Sequence, residues 1–161
     1  RDTWTFRYGD QSRFFHHGLM AAYDTRPMEG FGDVWTRLIH PGGHQFLEEI
    51  IALGEKVRDK RRLIDEEFLA ENGFEADFDG LKALVVNGRG GSEMFGDHSR
   101  DVDLLIPIQF HGDQWTVSLY RGAHCVADVS EIAKKFGGGG HPGAAGFQCR
   151  ELPFSFARRL T

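Results

Sequence analysis

Gly137, Gly138, Gly139 and Gly140 run directly into His141, and Pro142, Gly143, Ala144, Ala145 and Gly146 follow. The chemistry this run could support is anion binding. A backbone without side chains can approach a ligand closely and reach φ > 0. Successive free N–H groups can then close around a phosphate, and His141 adds a side-chain donor at the end of the run. A glycine run alone also describes a flexible linker, but its flanks here are not those of a linker.

Upstream, Asp128 can cap a short helix whose apolar face is Val129, Ile132, Ala133 and Phe136, with Glu131 three residues after the cap. Gly137 falls where that helix would end in a left-handed residue. Downstream, Phe147-Gln148-Cys149 reads as the start of a strand. Further back, Leu81–Val86, Asp103–Phe110 and Gln114–Arg121 read as strands, with Gly112-Asp113 as a hairpin turn. Asn87–Phe95 reads as a loop entering a helix capped by Ser92. The expected fold class is α/β, a mixed sheet with flanking helices.

Residues 44–72 carry Phe46, Ile50, Leu53, Val57, Ile64 and Phe68 at mostly helical spacing, with mixed-sign charges on the other face. They are expected to form one long linking helix ended by Asn72-Gly73. Phe14–Tyr23 and Asp33–Ile39 read as shorter helices. Residues 74–80, with Glu75, Asp77 and Asp79, read as an edge strand or a turn with solvated acids.

The other candidate chemistry is weaker. His16-His17 reads as a solvated or packing pair. His40 and His44 have the spacing of a zinc helix, but the Pro41-Gly42-Gly43 between them is not helical and no third ligand is apparent. Asp97, His98, Asp101 and Asp103 form a metal-like cluster without a complete ligand pattern. Cys125 and Cys149 are too few for a disulfide framework, so reduced thiols and a cytoplasmic location are expected. No apolar run approaches the length of a membrane helix. A net charge of −5 gives no global pull on nucleic acid, so any nucleotide contact must be local.

The stretch from Asp128 through the four glycines and His141 to Ala144-Ala145-Gly146 resembles the signature of the DHH-associated C-terminal domain. That domain is the substrate-binding half of DHH-family phosphoesterases of the RecJ-like and oligoribonuclease-like kinds. The resemblance covers roughly residues 80–150. Arg1-Asp2-x-Trp4 is similar to the closing piece of the family's catalytic domain, which makes Asp2 a weak candidate metal ligand; a turn cap is the plainer reading. The resemblance implies three parts: residues 1–45, the end of a catalytic domain; 46–80, a linking helix and turn; 81–161, the substrate-binding domain.

It also implies a function. The full-length protein would be a metal-dependent phosphoesterase using Mn²⁺ or Mg²⁺, bound mainly by an N-terminal domain that precedes this chain. It would cleave short single-stranded oligonucleotides or small nucleotides from an end, in the manner of an exonuclease. This chain, which begins at Arg1 rather than Met, is expected to be inactive alone. His141 would contact a substrate phosphate, with Gly138, Gly139 and Gly140 supplying N–H donors. Arg121 would add a charge-assisted contact, and Ser118 and Asn87 weaker polar ones, with Arg89 and Ser92 behind them. The family often has an arginine one position earlier, where this chain has Tyr120, whose ring could stack on a base instead. The alternative is a non-catalytic nucleotide- or RNA-binding module joined to another catalytic domain. A homodimer is compatible with either reading.

Overall fold

A computed structural model describes residues 9–22 and 31–159. The elements, in chain order, are α1 (Gln11–Ala22), α2 (Phe31–Ile39), α3 (Gly43–Asn72), β1 (Gly73–Phe78), β2 (Leu81–Asn87), a 3-10 segment (Ser92–Arg100), β3 (Leu104–His111), β4 (Gln114–Arg121), α4 (Val129–Lys135), β5 (Gly139–His141), β6 (Ala144–Cys149) and β7 (Ser155–Arg159). This is a mixed α/β fold with a long helix before the sheet. The chain divides into two units, residues 1–63 and 64–161.

In the first unit, Leu19, Val34, Phe46 and Ile50 make a small core joined by Phe15 and Leu38. Here α1 and α3 meet backbone to backbone. A Cβ on Gly18 would lie 2.0 Å from the Ile50 carbonyl oxygen, and one on Gly54 would lie 1.7 Å from that of Phe14. Arg58 lies 5.2 Å from the centroid of the Phe14 ring and 3.7 Å from the Asp10 carboxylate.

In the second unit the seven strands form one sheet, in the order β5-β6-β4-β3-β2-β1-β7. Every pairing is antiparallel except β2 with β3. The centre is made by β2 and β3, whose runs Ala83–Val86 and Leu104–Ile108 are buried without a break, as strands covered on both faces must be. One face carries Ala83, Val85, Leu104, Ile106, Val117, Leu119 and Phe147 under Val129, Ile132 and Ala133 of α4. The other carries Leu84, Val86 and Leu105 against Leu69 of α3 and Met94 and Phe95 of the 3-10 segment.

Two expectations need correction. Within residues 74–80 the strand is not an edge strand, because β1 is paired on both sides, by β2 and β7, and the turn is confined to Asp79-Gly80. Ala76 and Phe78 are buried, while Asp79 (φ 58°) and Gly80 (φ 77°) form the tight turn into β2, the backbone that an Asp-Gly hairpin loop adopts. Ser92 does not cap a helix. Gly91 holds the cap position without a side-chain bond, and the segment is 3-10, kinked at Gly96 (φ 48°). The structure adds two strands that the residue pattern does not predict, β5 and β7.

Replacing Gly54 by Ala discriminates between two effects of opposite sign. In an open helix this change stabilises by about 1 kcal/mol. Here the new methyl meets a carbonyl oxygen, and overpacking of this kind costs about 1–3 kcal/mol. The expected outcome is a lower melting temperature by circular dichroism, and an increase would show that α1 and α3 do not touch at Gly54.

Candidate functional site

The site is built outward from α4. Asp128 caps the helix: its carboxylate accepts from the Ser130 N–H at 2.9 Å and the Ser130 hydroxyl at 2.6 Å. Those bonds, the hydroxyl first, hold the Asp128 carboxyl below its usual pKa. At the other end, Gly137 takes φ 77°, its N–H donates to the Lys134 carbonyl at 3.1 Å, and the Gly138 N–H donates to the Ala133 carbonyl at 2.9 Å. This is a Schellman cap. Phe136 stacks on Phe147 with centroids 4.6 Å apart, and Phe78 lies 5.7 Å from Phe136, which seats the helix end on the sheet.

The rest of the glycine run is the strand β5. It turns at Pro142-Gly143 into β6, with Gly139 opposite Gly146, Gly140 opposite Ala145 and His141 opposite Ala144. Two bonds fasten this turn. The Val129 N–H donates to the Pro142 carbonyl and the Arg121 N–H to the Gly143 carbonyl, both at 3.1 Å. The hairpin is thereby tied to the start of α4 and the end of β4.

Register then sorts the side chains. Ser118 pairs with Gly146 and Tyr120 with Ala144 across β4 and β6. Residues in register share a face, so His141, Ala144 and Tyr120 form one row, and Gly139, Gly146 and Ser118 form the next. Val117 and Leu119 point the other way, under α4. On the face away from α4, His141 and Ala144 are exposed, and Gly139, Gly146, Ser118 and Tyr120 are half-buried. The result is an open shelf with a floor of glycine and alanine, bordered by Tyr120, Ser118 and His141.

The sequence-predicted residues separate on this geometry. His141, Gly139, Gly140 and Ser118 come together at the hairpin. The Gly138 N–H is engaged in the helix cap. Arg121 lies beside the turn through its backbone, but its register partner Leu104 belongs to the α4 side of the sheet, so its place is on the face opposite His141. Asn87 ends β2, four strands from β5, about 19 Å away at the usual spacing. Arg89 and Ser92 follow it on that side. Asp2 lies outside the described residues. Asp97 pairs with Arg100 at 3.0 Å, and Asp103 accepts the Lys82 N–H at 2.9 Å. The described residues contain no group of three or more His, Cys, Asp or Glu side chains able to hold a metal, so they do not supply a site for the divalent ions that the resemblance implies. An open cavity of about 440 Å³ lined by Arg37, His40, Phe46 and Glu49 belongs to the first unit. Its Arg37 lies over the Phe46 ring at 3.7 Å, and Glu49 would repel an anion there.

Comparison with known proteins adds a likeness of fold. No family model and no curated protein sequence matches the chain. Among solved structures it is similar to PggH of Vibrio cholerae, a pGpG-specific phosphodiesterase. The identity is 11%, the TM-score 0.56, and the match covers 88% of this chain and 53% of that one. An uncharacterized protein from Helicobacter pylori G27 matches at 17% identity and TM-score 0.42, over 90% of this chain and 46% of the other. The chain thus spans about half the length of each. No helix among the described residues is long and apolar enough to cross a membrane.

The glycines do different jobs, which mutation should separate. A Cβ on Gly140 (φ 151°) would lie 2.5 Å from Ala145 Cα, whereas Gly139 has no left-handed φ and nothing within 4 Å of a Cβ. Of the glycines expected to reach φ > 0, Gly139 does not; its missing side chain keeps the shelf clear instead. Gly140→Val should lower the melting temperature, whereas Gly139→Val should keep it and obstruct a ligand on the shelf. Equal melting shifts for the two would refute this division.

The helix cap predicts a pH dependence. Because the folded Asp128 pKa lies below its ordinary value of 3.8, its stabilisation is complete above that pH and fades as pH falls through the folded value. The melting difference between the parent and Asp128→Ala should be full at pH 6 and shrink in the acid range below pH 3.8. A difference that stays constant to pH 2 would contradict the cap.

Proposed function

We propose that this chain is the substrate-holding part of a phosphodiesterase of the DHH kind, acting on short oligonucleotides or small nucleotide phosphodiesters from an end. The observation that carries the reading is the shelf itself. An edge hairpin sets His141 in a row with Ala144 and Tyr120 above a floor of small residues. Such a floor lets a ligand approach the backbone, and an edge strand keeps an outer row of N–H and C=O groups that no other strand uses. The fold likeness to PggH and the signature around His141 support the same class of substrate.

In this reading, His141 donates to a substrate phosphate, and Gly139 and Gly140 allow the phosphate to lie against the β5 backbone. Ser118 offers a hydroxyl from the adjacent row. These residues bind and orient the substrate. Mn²⁺ or Mg²⁺, when bound by the catalytic domain, would supply the activated water and neutralise phosphate charge.

His141→Ala tests the proposal. Losing one charge-assisted hydrogen bond should weaken binding of a 5′-phosphorylated dinucleotide on the order of 10- to 150-fold. His141 is exposed, so the melting temperature should hold. Calorimetry reads the first quantity and circular dichroism the second. Unchanged affinity would remove His141 from the site, and a large melting loss would make it structural. Hydrolysis of a dinucleotide panel with Mn²⁺ by the full-length gene product tests the activity, and no turnover on any member would leave only a binding module.

A further inference from the structure

The reading of the shelf as a phosphate site leaves Tyr120 without a task. It is a half-buried aromatic residue on the open face, packed against the cluster of Leu105, Met94 and Phe95. It stands in the same cross-sheet row as His141, with Ala144 between them. Two inter-strand spacings put the Tyr120 and His141 backbones about 9–10 Å apart. Ala144, the residue between, is exposed and small, so nothing tall separates the phenol from the imidazole.

Resting on the phosphate reading above, we infer that Tyr120 is a specificity residue of this shelf: it stacks a nucleobase while His141 holds the phosphate of the same nucleotide. The chemical class of ligand is then a terminal nucleoside monophosphate, free or at the end of a short oligonucleotide, rather than any phosphate monoester. Two observations and one principle support this. The ring is fixed by packing on one side, so stacking orders little that is not already ordered. A π-face accepts every base, which suits an enzyme that works through an oligomer without reading its sequence. The arginine next to it lies on the other face by register, so the border of the shelf near Ala144 is aromatic rather than cationic. A phosphate at that position would gain no charge-assisted partner from β4, whereas a base would gain a ring.

The test uses the whole 161-residue chain and two probes, guanosine 5′-monophosphate and ribose 5-phosphate, titrated by calorimetry. The parent should bind the nucleotide on the order of 5- to 150-fold more tightly than the sugar phosphate, the range expected of one base–aromatic stack. Tyr120→Phe should keep that preference. Tyr120→Leu should bring the nucleotide down to the affinity of ribose 5-phosphate and leave ribose 5-phosphate unchanged. A parent without preference overturns the inference even if the leucine variant does not fold. So does a leucine variant that loses both probes equally, because that is the behaviour of a merely structural ring. Ring-proton shifts of Tyr120 in the parent, large for the nucleotide and small for the sugar phosphate, check the contact directly. His141→Ala distinguishes the two readings. If it abolishes binding of both probes while the parent shows no preference, the phosphate site stands and the stack falls. If the parent binds neither probe, both fall together.

Discussion

Close approach between backbones is the constraint on which this structure depends. Between the end of α4 and β6, the chain must make a helix cap, one short strand and a two-residue turn in eight residues, Phe136–Gly143. It can do so only where nothing projects. A Cβ on Gly138 would lie 2.1 Å from the Gly146 carbonyl oxygen, and one on Gly146 would lie 2.9 Å from that of Val117. Such gaps cannot be relieved by rotating a side chain, because the neighbours are main chain. The three strands β4, β6 and β5 therefore sit where they do because glycine occurs at 138, 140 and 146. Packing of Phe136 on Phe147 holds the assembly from the other side.

The two faces of the sheet then divide the work. On one, α4 seals Val117, Leu119 and Phe147 into the largest core. Burial of such side chains contributes about 1.5–3 kcal/mol each, and this is where the domain's stability resides. On the other, cover is provided at β2 and β3 by Phe68, Leu69, Met94 and Phe95 and thins toward β4 and β6, where Ser118 and Gly146 are half-buried. The shelf is the sheet surface beyond that cover. A site of this kind needs no cavity. It needs a rigid floor, supplied by the core beneath it, and borders supplied by alternate residues of three strands.

Much of this could be read from the residues. Asp128, the apolar spacing of Val129, Ile132, Ala133 and Phe136, and Gly137 together specify α4 and both its caps, because each rests on local chemistry. The long α3 was equally legible from its periodicity. Local chemistry did not reveal β5. Glycine has the weakest strand preference, and Gly139–His141 becomes a strand only because β6 returns alongside it. The place of β1 is hard to read for a related reason: its acids suggest a solvated edge or turn, while the signal for an interior strand lies in buried Ala76 and Phe78. Site residues divide in the same way. That His141 belongs with the glycines follows from adjacency, but that Tyr120 rather than Arg121 shares its face depends on the register of three strands, which no single segment encodes.

Register also decides what kind of attraction the site can exert. The chain carries a net charge of −5, and the cations near the hairpin are already committed or turned away. Lys134 pairs with Glu131, Lys135 with Asp79, and Arg121 lies on the face under α4 by its pairing with Leu104. The N-terminal donors of α4 are engaged too, Val129 with Pro142 and Ser130 with Asp128. Among the described residues, the hairpin offers an anion the imidazole of His141, the hydroxyl of Ser118 and the outer backbone of β5. These are short-range, directional donors, worth most when a ligand is small enough to satisfy all of them at once. A long polyanion gains affinity chiefly by releasing counterions along an extended basic track, whereas the hairpin presents one imidazole and one hydroxyl. In the proposed reading, the shelf therefore suits the end of a short chain better than the middle of a long one.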